Sequence, residues 1–125
     1  MILDTNALSE YLKGQGAVVA IVSRQPQVFL PVIVLAEYRY GLVYSQWRTV
    51  LSDQLDEYER LFGILNIDAI TARQYAMVRS ELRDRGRPIP VNDVWVAALA
   101  RQHTLPILSR DTHFDEAAGI QRIGW

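Results

Sequence analysis

The sequence predicts an α/β fold of three layers, with a central, mainly parallel sheet of roughly five short strands covered on both faces by helices. Three observations predict it. Short apolar runs alternate along the chain with segments of helical periodicity. The helix that leads into the fourth run is apolar almost all round (Val94-Trp95-Val96-Ala97-Ala98-Leu99-Ala100), as a buried helix would be. The chain, at 125 residues and 50% hydrophobic, is long enough for one domain with a sizeable core.

In chain order, a first strand at 1–3 is closed at once by Asp4-Thr5-Asn6. Leu8, Tyr11 and Leu12 recur at helical spacing, and Gly14-Gln15-Gly16 ends that helix. Residues 17–22 make a second short helix, stopped near Gln25-Pro26-Gln27. The second strand, 28–30, runs into Pro31, which suits a helix start because the N–H it lacks would be unpaired there. That helix carries Glu37 and runs to about Tyr44. Trp47, Leu51, Leu55, Tyr58 and Leu61/Phe62 mark one face of a long amphipathic helix. A third strand at 64–67 meets Asp68, whose default role is to cap the helix it opens, through Leu82. A loop from Gly86 to Pro90, the buried helix from Asn92 to about Gln102 and a fourth strand at 105–109 follow. A polar loop at 110–116 precedes a short fifth strand at 121–123. No repeat or low-complexity segment interrupts this order, and 1–125 reads as a single domain.

No apolar run approaches the roughly 18–20 residues of a membrane span, and Asp4 arrives before a signal peptide can form. The absence of cysteine excludes disulfides and thiolate metal sites and makes the cytoplasm the default expectation. A net charge of −1 argues against a broad electrostatic footprint for nucleic acid, though not against a nuclease whose own site is acidic. Lys13 is the only lysine. Arg79, Arg83, Arg85 and Arg87 cluster, and the plain reading of that run is a solvated helix end.

The acids carry the chemical signal. In a parallel sheet with crossover helices, strand ends and helix starts share one edge, where ligands bind in open α/β folds. Asp4 ends the first strand, Glu37 lies in the second turn of a helix start, Asp93 opens the buried helix and Asp111 follows the fourth strand. Singly, Asp4 could simply cap the first helix, while Asp93 reads as a favourable helix-dipole charge and Asp111 as a turn residue. Glu37 follows an apolar stretch and needs a partner that Arg39, on the other side of its helix, does not offer. Jointly they resist those readings. Two carboxylates about 4 Å apart repel by roughly 4 kcal/mol at an effective dielectric of about 20. Four converging acids would protonate or splay apart unless a cation neutralised them, and with no cysteine and no histidine pair the expected ligands are all oxygen, which suits Mg²⁺ or Mn²⁺ and phosphoryl chemistry.

The stretches ILDTN at 2–6, AEYRYG at 36–41, IPVNDVWVAALA at 89–100 and LSRDTHFD at 108–115 resemble the PIN-domain ribonuclease toxins of the VapC type, in family order and across essentially the whole chain. The resemblance implies a PIN-like α/β/α sandwich and a Mg²⁺- or Mn²⁺-dependent endoribonuclease, the toxin of a toxin–antitoxin pair. It implies a catalytic and metal-holding quartet of Asp4, Glu37, Asp93 and Asp111, with Asp115 as a fifth metal ligand and Thr5, Asn6, Asn92 and Ser109 in support. Asp4 is then a ligand, with Thr5 or Asn6 capping the first helix. His113 is expected in a solvent-exposed or phosphate-contacting role rather than as a ligand, and His103 as structural. Expected partners are an RNA substrate, tRNA among the candidates, a second copy of the chain, and an antitoxin whose C-terminal segment blocks the site. The rival reading is a PIN-like module that binds RNA or protein without cutting; loss of a core acid would favour it, and all four are present. A phosphatase-type α/β domain would need a second Asp beside the first or a late lysine, and the chain has neither.

Overall fold

A computed structural model describes all residues, Met1–Trp125. The strands are β1 (Ile2–Leu3), β2 (Phe29–Pro31), β3 (Gly63–Leu65), β4 (Ile107–Leu108) and β5 (Arg122–Ile123). They form one sheet in the order β3-β2-β1-β4-β5, parallel throughout. In register, Ile2 lies between Phe29 and Ile107, Phe29 beside Gly63, and Ile107 beside Arg122. Parallel neighbours require crossover connections, and the chain supplies them as α1 (Thr5–Leu12), α2 (Gly16–Val22), α3 (Val32–Leu42), α4 (Arg48–Leu61), α5 (Ala69–Asp84) and α6 (Val91–His103). Helix α1 packs on α2, α3 and α4, while α5 packs along α6. None of the helices is long and apolar enough to cross a membrane.

The central strands are wholly buried: Ile2, Leu3, Leu30, Ile107 and Leu108 are all 0% exposed. Val94 and the run Val96–Ala100 of α6 are buried too, as the all-round apolar pattern predicts. His103 is exposed at the end of that helix rather than packed. The third strand starts earlier and ends sooner than its apolar run suggests. Its neighbour β2 stops at Pro31, which pairs with Leu65, so residues 66 and 67 have no strand beside them. The close approach to Phe29 requires glycine at 63, because a Cβ there would lie 2.6 Å from the Phe29 ring.

Strand β3 forms one margin of the sheet, two places from β1. Two inter-strand spacings of about 4.8 Å put β3 roughly 10 Å from β1. Asp68 is a cap: its Oδ1 accepts the N–H groups of Ile70 and Thr71, both at 2.9 Å, and Thr71 Oγ1 accepts the Asp68 N–H at 3.1 Å. Losing this reciprocal cap in Asp68→Ala is expected to lower the melting temperature by a few degrees and leave the acids around Asp4 undisturbed. Thermal unfolding by circular dichroism measures the effect.

Candidate active site

The carboxyl end of the sheet assembles the acids. Asp4 leaves β1 with its N–H on the Leu108 carbonyl at 3.2 Å, while its own carbonyl accepts the Leu8 N–H at 2.9 Å to begin α1. Its side chain does not cap that helix, and neither Thr5 nor Asn6 does so, contrary to the sequence expectation. Both are turned to the acids instead. Thr5 Oγ1 donates to Glu37 Oε2 at 2.6 Å. Asn6 Nδ2 donates to Asp4 Oδ2 at 2.7 Å and to Ser109 Oγ at 3.0 Å, and its Oδ1 accepts the Arg110 N–H at 3.1 Å. The first turn of α1 thus ties β1 to the end of β4.

Ser109, 0% exposed, is the buried hub of this arrangement. Its hydroxyl donates to Asp4 Oδ2 at 2.8 Å and accepts the Asp111 N–H at 2.9 Å. Glu37, from α3, finds the partners its apolar surroundings require: Thr5 on one oxygen and Asn92 Nδ2, at 2.6 Å, on the other. Asp93 stands in the first turn of α6. Asp111 begins a 3₁₀ turn (Thr112–Glu116), accepting the His113 N–H at 2.9 Å, and buried Phe114 anchors the turn. Asp4, Glu37, Asp93 and Asp111, together with Thr5, Asn6 and Asn92, line one open pocket of about 680 Å³.

Two sequence expectations change here. Asp115 does not join the converging acids, because Arg122 takes both its carboxylate oxygens at 2.8 Å. The same guanidinium donates to the Ser109 carbonyl at 3.1 Å, so this ion pair buttresses the end of β4 from outside the pocket. His113 is solvent-exposed, as expected, yet its ring also reaches them. Its Nδ1 lies 2.9 Å from Asp111 Oδ1 and 3.2 Å from Asp93 Oδ2, and ligand atoms of the three residues all fall within 4.8 Å of one another. The expected all-oxygen donor set therefore has an imidazole nitrogen beside it. The readable signal was the Asp-Thr-His spacing, which a single Asx turn folds back on itself.

The electrostatics call for a cation. Asp4 is 5% exposed and has no cationic partner, and burial, the largest cause, pushes its carboxyl up to about 6 despite the Ser109 bond, with Asp93 and Glu37 adding repulsion. Asp93 is likewise raised by burial, an effect that His113 opposes and that Asp111 and Glu37 reinforce. No lysine or arginine pairs with Asp4, Glu37, Asp93 or Asp111; His113 alone bridges two of them. Hard carboxylate oxygens, partly buried and short of positive charge, fit a divalent ion of the Mg²⁺ or Mn²⁺ class. Ser109→Ala would leave Asp4 Oδ2 one donor short and is expected to weaken divalent-ion binding by about 10–100-fold, as loss of a group orienting a ligand typically does. Calorimetric titration of the purified variant measures this.

Known proteins share this architecture. The model of the PIN domain family matches residues 1–120. Toxin FitB of Neisseria gonorrhoeae is 36% identical over 130 residues, covering 96% of this chain and 94% of that protein. VapC ribonuclease Y4jK of Sinorhizobium fredii is 32% identical over 133 residues, covering 98% and 95%. Among solved structures, VapBC-5 of Mycobacterium tuberculosis, a member of the VapBC family of toxin-antitoxin systems, superposes with a TM-score of 0.76 at 28% identity, covering 99% of this chain and 97% of that one.

Proposed function

The chain belongs to the PIN-domain family, in its VapC-type branch, and from that premise we infer that it is an endoribonuclease, the toxin of a toxin–antitoxin pair, whose reaction takes place at the Asp4–Glu37–Asp93–Asp111 pocket. One observation carries the site assignment: four separate elements deliver four carboxylates to one pocket, and the polar side chains around them serve to orient those carboxylates.

The carboxylates of Asp4, Glu37, Asp93 and Asp111 would hold Mg²⁺ or Mn²⁺, with His113 Nδ1 within reach of the Asp93–Asp111 side. When bound, such an ion supplies Lewis-acid activation of water and neutralisation of charge on a phosphodiester. The chain's own residues do the rest by fixing geometry. Thr5 and Asn92 clamp both oxygens of Glu37, and Asn6 and Ser109 hold Asp4 Oδ2, leaving Oδ1 without a side-chain donor. Between Asp93 and Asp111, His113 Nδ1 lies within hydrogen-bond distance of a carboxylate oxygen of each.

By likeness to the VapBC-5 system, the partner is a cognate antitoxin, and we place its C-terminal segment over the acidic pocket. The toxin is read as a cytoplasmic homodimer, a state that light scattering on the purified protein measures. The activity is tested by incubating the full chain with total cellular RNA and Mg²⁺ or Mn²⁺, with and without EDTA. Discrete fragments that EDTA suppresses are expected, and EDTA-resistant cleavage would overturn the reading.

A further inference from the structure

A pocket that must accept RNA is lined by four acids, so the strand's other phosphates have to be held elsewhere. On the far side of the first turn of α6 lies a second cavity of about 250 Å³. Arg79 and Arg83 of α5 and the apolar side chains of Leu82, Ile89, Val91 and Val94 line it. The first turn of α6 is shared: Val91 and Val94 face this cavity, while Asn92 and Asp93 face the acidic pocket. The two sites are therefore about one helix diameter apart, roughly 10–12 Å, a distance that a single strand covers in a few nucleotides.

The charges in this cavity are uncommitted. Arg79 and Arg83 are one helical turn apart, an arrangement of like charges that costs helix stability, and neither pairs with a carboxylate. Arg24, Arg48, Arg60, Arg73 and Arg85 also lack carboxylate partners, but they line no cavity. Arg79 is also held in place. Its Nη1 donates to Tyr75 Oη at 2.6 Å, its guanidinium lies 5.7 Å from the Tyr75 ring centroid, and Tyr75 stacks on Trp95 at 4.0 Å. The remaining guanidinium donors are left for a ligand, and their fork geometry matches a phosphate.

Resting on the ribonuclease reading, we propose that Arg79 and Arg83 form a phosphate subsite for single-stranded RNA, seating the backbone beside the apolar wall of Ile89 and Val91 while the neighbouring linkage enters the acidic pocket. The test is fluorescence anisotropy of a labelled mixed-sequence oligoribonucleotide with the full chain in EDTA, where cleavage is not expected, over a salt series. Each phosphate contact on a single strand contributes roughly 0.7 to the slope of log affinity against log salt. R79Q/R83Q is therefore expected to flatten the slope by roughly 1.4, while R24Q/R60Q, an equal change of charge at exposed arginines outside any cavity, leaves it unchanged. Equal slopes for wild type and R79Q/R83Q, equal losses in both double variants, or no RNA binding by the wild type would each overturn the subsite. So would an altered oligomeric state of R79Q/R83Q with an unchanged slope, which would make this face a protein contact. Binding with the expected slopes but no cleavage after adding Mg²⁺ or Mn²⁺ would uphold the subsite and refute the ribonuclease.

Discussion

Asp4→Asn is expected to lower RNA cleavage by about 10³-fold or more and yet to make the ion-free protein more stable at neutral pH. The loss follows from the role of the residue: a divalent ion at the reacting phosphate is worth several kcal/mol of transition-state stabilisation, and each ~1.4 kcal/mol is tenfold in rate. The gain follows from burial. The Asp4 carboxyl is pushed up to about 6 in the fold from an ordinary value of 3.8. The folded chain therefore holds that proton more tightly than the unfolded chain does, and stability falls as pH rises between about 4 and 6. At about 1.4 kcal/mol for each pH unit of that displacement, ionised Asp4 costs the ion-free fold about 3 kcal/mol at pH 7. Asn carries no charge, and its amide oxygen can still accept from Asn6 and Ser109. Thermal unfolding in EDTA should show the variant above the wild type at pH 7 and the two converging near pH 4. A variant that is less stable than wild type at pH 7 would refute the electrostatic account.

The second large effect is stabilisation by the ion itself. A cation that binds only the folded pocket contributes about 2.7 kcal/mol at a hundredfold excess over its dissociation constant, which for a chain of this length raises the melting temperature by roughly 10 °C. Binding competes with protons, because Asp4 must be ionised to serve as a ligand. With its carboxyl near 6, most of the population is ionised at pH 7 and about a tenth at pH 5, so affinity should fall about tenfold between them. The thermal gain at the same Mn²⁺ concentration should then shrink to roughly half. Scanning calorimetry at the two pH values, with and without Mn²⁺, measures it. A gain that is the same at both would place the ion away from Asp4.

Much of this was legible in the residues, for identifiable reasons. The alternation of apolar runs and helical segments predicted a parallel sheet, and the edge rule then gathered Asp4, Glu37, Asp93 and Asp111 without any knowledge of strand order. Strand order itself is carried by no local pattern, so whether Asp68 belonged with them depended on β3 lying at the margin. The failures are all tertiary. A polar residue after a strand is ordinarily a cap, yet Thr5 and Asn6 serve Glu37 and Asp4 because α3 and the end of β4 bring better partners. Asp115 was drawn away by Arg122, seven residues on and across the 3₁₀ turn. The contacts of His113 depend on how Asp111 folds the turn back toward α6, which no local pattern carries. The role of Ser109 as hub needs the pairing of β4 beside β1 to be visible.

These four acids are expected to act together as one divalent-ion site. Mn²⁺ titration followed by calorimetry on wild type, Asp4→Asn, Glu37→Gln, Asp93→Asn and Asp111→Asn, with Asp68→Asn as the control, tests it most directly. Each of the four is expected to weaken binding by at least about tenfold, and the control, capping α5 at the sheet margin, to bind as the wild type does. Undiminished binding in a folded Asp4→Asn, or an equal loss in Asp68→Asn, would contradict the account.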